Sequence, residues 1–337
     1  MKIKESFACV LLLAFPLAVS AQVKVNGYLS AEFLKGQAQS DWNKGSFQNV
    51  QAGLFLSGLL GGRFDYSLEL RMDDVSRFQV EQAWVGLAAS NAFNFRLGLY
   101  PVPFGQYNRS NRPYQTVLVR EPISLEDVYP ERWREIGILI EGVFGNFTYA
   151  AYLGNGLAEE ETLRAGQQFK DNNTNKGMGG RVGFSLGNEF GGGVSYYRGK
   201  YDAANSRQLS LLGLDASWVT DTIQVLGEYS SAQAENPSPF SSGEAKGSFI
   251  QVTLTPGKWH PFVSYQKSSA EDNFHGAGFG PSTQPGLGIF KDRNRWALGI
   301  DFILTTNVLF KVEYDVNREK NPSLKDNLFS AQIALSF

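Results

Sequence analysis

Five arginines, Arg109, Arg112, Arg120, Arg132 and Arg134, fall between Tyr100 and Gly137, a stretch that holds no lysine. A guanidinium is always charged and offers a planar fork of donors that matches the oxygens of phosphate or carboxylate. Rings of arginine are one way to build an anion-attracting aperture. The same stretch carries Pro101, Pro103, Pro113, Pro122 and Pro130, and the aromatics Phe104, Tyr107, Tyr114, Tyr129 and Trp133. Glu121, Glu126, Asp127 and Glu131 lie among the arginines. Two readings therefore stand open for Arg132 and Arg134, next to the following strand: they face solute, or they are paired to pin the stretch. Arg109, Arg112 and Arg120 are read as exposed to solute.

Other chemistry finds little support. The two histidines, His260 and His275, stand in no nucleophile or metal motif. Asp171-Asn172-Asn173-Thr174-Asn175 reads as a solvated turn. The one cysteine, Cys9, precedes the predicted mature chain. A formal net charge of −2 gives no reason to expect nucleic acid. No catalytic residue, metal or cofactor is expected.

The elements that would position the arginines are strands. In Phe329–Phe337 apolar residues alternate with small or polar ones, and so do Val308–Val316, Trp296–Leu304 and Arg63–Met72. Period two marks strands with two unlike faces. Strand-like segments are predicted near 23–34, 48–60, 63–72, 78–89, 94–100, 135–143, 146–154 and 178–186. Eight more follow near 190–199, 207–218, 222–232, 247–255, 258–268, 293–304, 308–317 and 327–337. The connections alternate between tight Gly-, Asn- or Asp-bearing turns and long polar loops, as in a bacterial outer-membrane barrel. A tilted strand of about 10 residues spans the ~25 Å apolar band of that membrane. Aromatics near strand ends, including Phe93, Trp218, Trp259 and Phe337 on one side and Tyr100, Trp296 and Tyr314 on the other, read as interfacial girdles.

Residues 1–21 read as a cleaved secretory signal peptide: Lys2 and Lys4, then an apolar Phe7–Val19, then Val19-Ser20-Ala21. Residues 22–337 are then a sixteen-stranded antiparallel transmembrane β-barrel with short periplasmic turns and long extracellular loops. A sixteen-stranded barrel leaves an aqueous channel, and the 101–134 loop is expected to fold inwards and constrict it. Arg109, Arg112, Arg120, Arg132 and Arg96 are the anion-attracting candidates. Arg63, Arg71, Arg181, Arg295 and Lys311 are placed by alternation on the lumen wall. Inward acids, among them Glu32, Glu69, Glu141, Asp215, Glu228, Asp301, Glu313 and Asp315, are read as plain solvation. Residues 159–170 suit a short helix, and Gly276–Gly288 a cover over the mouth. The expected function is passive diffusion of small hydrophilic solutes; the alternative is a non-conducting barrel serving as surface adhesin or scaffold.

The run FRLGLYPVPFGQYNRSNRPYQTVLVREP, followed by YPERWREIGILIEG, resembles the phosphate-selective porin O and P family over about 45 residues. It carries the elements Pro101-Val102-Pro103-Phe104-Gly105, a polar loop, and Arg134 with Gly137 and Gly142. The resemblance implies a homotrimeric, substrate-biased channel in outer-membrane lipid whose basic residues guide small anionic solutes. Where phosphate-selective members carry a lysine cluster and an undiluted arginine ladder, this loop has no lysine and the wall is interspersed with acids. Dicarboxylates therefore stand beside phosphate as expected solutes.

Overall fold

Alternation dictates the architecture. On the strand Val308–Glu319, Lys311, Glu313 and Asp315 are wholly buried while Phe310 and Tyr314 are each 41% exposed. Charge inside and apolar surface outside is the reverse of a water-soluble sandwich, and it suits an outer face that meets lipid. The computed structural model describes residues 22–74, 76–126, 128–160, 162–239, 242–271, 292–319 and 324–337. The predicted signal peptide, the Gly276–Gly288 segment and His275 lie outside them.

The first eight strands are β1 (Gln22–Gly36), β2 (Ser46–Leu60), β3 (Phe64–Asp73), β4 (Arg77–Ser90), β5 (Phe93–Pro101), β6 (Arg134–Phe144), β7 (Phe147–Gly154) and β8 (Gly177–Leu186). The second eight are β9 (Phe190–Lys200), β10 (Gln208–Val219), β11 (Ile223–Ala234), β12 (Gly243–Leu254), β13 (Trp259–Glu271), β14 (Asp292–Thr305), β15 (Val308–Glu319) and β16 (Leu328–Ser336). Each pairs antiparallel with its sequence neighbours, and β1 closes on β16, with Tyr28 opposite Ser336 and Gly36 opposite Leu328. Phe337 extends the closure by a reciprocal pair of 2.9 Å backbone bonds with Gly27. The sheet is thus a closed sixteen-stranded antiparallel barrel, which leaves no edge strand. The predicted strands match these within a few residues.

The interior has two unlike halves. Across β5–β12, aromatic and small residues are prominent on the inward face, with Tyr100, Tyr152, Tyr197 and Phe249 beside Ser195, Ser230, Ala232 and Ala245, and Arg181, Asp215 and Glu228 set among them, all buried. Across β1–β4 and β13–β16 charged and amide-bearing side chains are denser, including Glu32, Glu69, Arg71, Glu81, Arg295, Lys311, Glu313 and Gln332. The aromatic half is covered by segments that leave the wall and enter the barrel. Tyr100, expected in the interfacial girdle, instead points inward and donates its hydroxyl to the Ile138 carbonyl at 3.0 Å. It shares the inward parity of Arg96 on the same strand. Arg63, expected on the lumen wall, sits exposed in the turn between β2 and β3, because the strand begins one residue later. Among the described residues of 159–170 only Leu163–Ala165 is helical, a single 3-10 turn capped by Thr162.

Candidate functional site

The connection 102–133 between β5 and β6 lies inside the barrel and is bonded to its wall on opposite sides. Its two ends are clasped together first. The Asn108 amide nitrogen donates to the carbonyls of Val102 (2.9 Å) and Trp133 (3.1 Å), and its oxygen accepts the Trp133 N–H at 2.7 Å. Phe104, Tyr129 and Trp133 then pack into the aromatic half. The Phe104 and Tyr129 ring centroids are 5.1 Å apart, and Trp133 meets Tyr197 edge-on at 5.0 Å. Gly105 adopts φ +60 and passes directly over the Glu228 carboxylate, where any Cβ would collide with it. Only glycine combines that conformation with so close an approach.

Buried backbone N–H groups need acceptors, and the wall supplies carboxylates. Glu228 on β11 accepts the N–H groups of Gln106 (2.9 Å) and Tyr107 (3.0 Å) and the Tyr129 hydroxyl (2.9 Å). Glu313 on β15 accepts those of Val119 (2.8 Å) and Arg120 (3.2 Å). Gln266 on β13 accepts the Ile123 N–H at 2.9 Å. Carbonyls find a cation: Lys311 donates to Pro113 (2.6 Å) and Thr116 (2.5 Å). The one-turn helix Ile123–Glu126 rests on β12, where Gly247 leaves room for the Ser124 carbonyl.

The sequence-derived arginines separate into tethers and free charges. Arg112 forks onto Glu69 of β3 at 3.0 and 2.5 Å and covers the Phe55 ring, so it fastens the loop, contrary to the expectation of free exposure. Arg132 is buried in a left-handed conformation (φ +47) and donates to Gln51 at 3.0 Å and the Tyr28 hydroxyl at 3.3 Å. Arg134 is buried against Glu81 at 3.1 Å. Pinning is therefore the arrangement found for both. Arg96 pairs with Glu141 at 2.7 Å and stacks on Trp84. On the wall, Arg71 pairs with Glu81 (2.7 Å) and Asp73 (2.9 Å), Arg181 with Asp215, and Arg295 bonds to Asn317 at 2.8 Å. Lys311 holds the loop and is closed to solvent. Among the described residues, Arg109 and Arg120 form no ion pair; Arg120 lies over the Trp42 ring at 4.9 Å.

A second inserted segment was not anticipated. The connection 155–176 buries Leu157 and Leu163 beside Trp133 and Tyr197. Its Arg164 bridges Glu121 (2.8 Å) and Glu131 (2.7 Å) of the first loop. These groups border a polar cavity of about 210 Å³ on the extracellular side, where Glu32, Glu121, Glu126 and Glu131 face Arg120, Arg132 and Arg164. Burial pushes the Glu121 carboxyl up to about 7, although Arg164 pulls it down. Burial also acts upward on Glu126, but Arg293 and Arg295 outweigh it and hold that carboxyl at about 2. Among the described residues no cluster of His, Cys, Asp and Glu could hold a metal ion.

The chain belongs to the Gram-negative porin family, whose model matches residues 8–322. With the barrel, this makes it a porin-like channel of the outer membrane. It is similar in fold to an anion-selective porin from Comamonas acidovorans: TM-score 0.67 and 12% identity, covering 94% of this chain and 100% of that one. It is equally similar to OmpF of Salmonella typhi in complex with daunomycin: TM-score 0.67 and 12% identity, covering 94% and 97%. The trimer form of OmpT of Vibrio cholerae gives TM-score 0.64 and 11% identity, covering 94% and 99%. At such identities the likeness is one of fold. An uncharacterized protein of Aquifex aeolicus is 29% identical over 134 residues, a match spanning 37% of this chain and 31% of that one. The family match is broader than the resemblance to the phosphate-selective O and P porins.

Glu313→Ala strands the Val119 and Arg120 N–H groups, each at a cost of roughly 1–3 kcal/mol. Hydrogen exchange read by mass spectrometry is expected to quicken across 113–121 by tenfold or more (about 1.4 kcal/mol per tenfold), with the barrel strands still protected. Unchanged exchange in that segment would remove Glu313 as its anchor.

Proposed function

We propose that the chain is a passive, water-filled diffusion channel for small hydrophilic solutes, biased to anions such as phosphate or dicarboxylates. In this reading the 101–134 loop is the constriction, residues 1–21 are a cleaved signal peptide, and the assembly is a homotrimer. The trimer form of the Vibrio cholerae OmpT supports the last point by analogy of fold. The observation that carries the anion bias is that Arg109 and Arg120 alone among the loop's expected anion-attracting arginines keep charge not committed to a carboxylate or the wall. Arg120 borders the extracellular cavity and Arg109 a second cavity on the turn side. Arg112, Arg132 and Arg96 serve the geometry of the aperture instead.

Removing a unit charge near a narrow water-filled passage changes an ion's energy by ~1 kcal/mol. The double variant R109Q/R120Q is therefore expected to lower the chloride-to-potassium permeability ratio by roughly fivefold for each charge removed, read as a reversal potential in a KCl gradient across a planar bilayer. An unchanged ratio would remove these two residues from the selectivity. Absence of conductance from folded protein would favour a surface scaffold over a channel.

The pH dependence has a definite sign. Glu121 carries its charge above about pH 7 and loses it below. Its carboxyl is raised above the unfolded value of ~4.3, so its contribution to stability is full below that value and is lost as pH rises through 7. Lowering pH from 8 to 6 takes a negative charge out of the extracellular cavity. Anion preference is expected to rise over that interval and to be flat in Glu121→Gln; a wild-type preference that falls would contradict the assignment.

A further inference from the structure

On the turn side of the inserted loop lies a cavity of about 240 Å³, bordered by Asn94, Arg109, Thr148 and Arg181. Asn94 and Thr148 each stand one residue inside the turn-side end of their strands, so this space opens towards the periplasmic mouth. It is separate from the extracellular cavity, with which it shares no lining residue.

The wall is shaped around one guanidinium. Arg181 lies flat on the backbone of Gly183 and Gly193, and a Cβ at either position would occupy its place. It is 8% exposed and pairs with Asp215, yet its Nε has no partner. Arg109 reaches the same cavity from the 3-10 turn Tyr107–Arg109 and forms no ion pair among the described residues. Both guanidiniums border this one cavity, and Arg109 is exposed to it; burial in the lumen lowers the Arg109 pKa, and the Arg181 charge lowers it further. The other charged groups here are Asp215, Glu141 and Arg96. Glu141 is taken by Arg96 at 2.7 Å, and Asp215 by Arg181, so Arg109 is the uncompensated charge.

Holding two guanidiniums together costs energy unless an anion lies between them. A small oxyanion in the cavity that both residues border would remove that repulsion. The Thr148 hydroxyl and the Asn94 amide add neutral donors. We propose that Arg109 and Arg181 form a binding site for a single small oxyanion on the periplasmic face of the constricting loop. The proposal rests on the anion-channel reading and goes beyond it: it places a saturable station after the aperture, where general attraction would give none.

The experiment uses the purified full-length channel in a planar bilayer, with inorganic phosphate as the probe and succinate in parallel. Phosphate added on the turn side is expected to block chloride current saturably, at lower concentration than from the loop side. Each charge-assisted hydrogen bond contributes ~1.5–3 kcal/mol, so Arg109→Gln should raise the blocking concentration by about tenfold or more. Arg198→Gln, on the outer surface, should leave it unchanged. Block by succinate at the same concentration would mark a site for carboxylate oxyanions as well as phosphate. Block that is equal from both sides, or that survives Arg109→Gln, overturns the site while leaving the channel standing. Should the protein carry no current, the channel reading falls, and the site is then read from melting in detergent. A phosphate-dependent rise in the wild type that R109Q lacks supports it, and equal behaviour of the two overturns it.

Discussion

A loop can live inside a barrel only if its peptide groups find partners there, and this requirement organises the molecule. The segment 102–133 brings N–H and carbonyl groups away from bulk water. The wall answers with Glu228, Glu313 and Gln266 as acceptors and Lys311 as donor, each bonded to the loop backbone. Carboxylates at such positions would be costly if left alone. Charge-assisted bonds to backbone N–H groups offset that cost and fix the loop's height and tilt. The charged lumen of this chain is therefore in large part scaffolding.

Side-chain size sets where the loop goes. Small inward residues on β9–β12, including Ser195, Gly213, Ser230 and Gly247, leave a bay into which Phe104, Tyr129 and the 123–126 turn settle. The 155–176 segment seals the bay by burying Leu157 and Leu163 and by tying Arg164 to the first loop. What remains open is a loop-side cavity against β1, β2 and β16, which Arg120 borders, and a turn-side cavity against β5–β8, which Arg109 borders. These two guanidiniums of the loop keep their charge towards water, and the others are spent in holding its shape.

The strands and their closure were legible because every strand meets unlike media on its two faces, so period two is written plainly. The inward fold of the 101–134 stretch was expected from its place as the long connection after the fifth strand, where general porins fold a loop inwards, with its prolines and aromatics as anchors. The partners of individual arginines were not. Arg112 and Arg120 look alike in sequence, and only the register of β3 and β15 decides that Glu69 meets one while Glu313 meets the other's backbone and leaves its guanidinium free. Lys311 and Glu313 were read as wall charges because alternation gives the side of the sheet and nothing about what arrives from the far wall. A fuller signal was present in the small inward residues of β9–β12, which are too small to fill half a barrel and so call for an inserted segment. Arg164 carried no signal, since its partners lie in another loop.

The most direct test of the account asks whether current passes the loop. The chain's one cysteine is Cys9, inside the segment proposed to be a cleaved signal peptide, so in the Cys9→Ser background a cysteine placed at exposed Ser110 is unique whether or not that segment is removed. A bulky methanethiosulfonate reagent applied to the conducting Ser110→Cys channel should cut the current steeply, with reversal by reducing agent. Complete modification with unchanged current would mean that solutes do not pass the inserted loop, and the account of the aperture would fail.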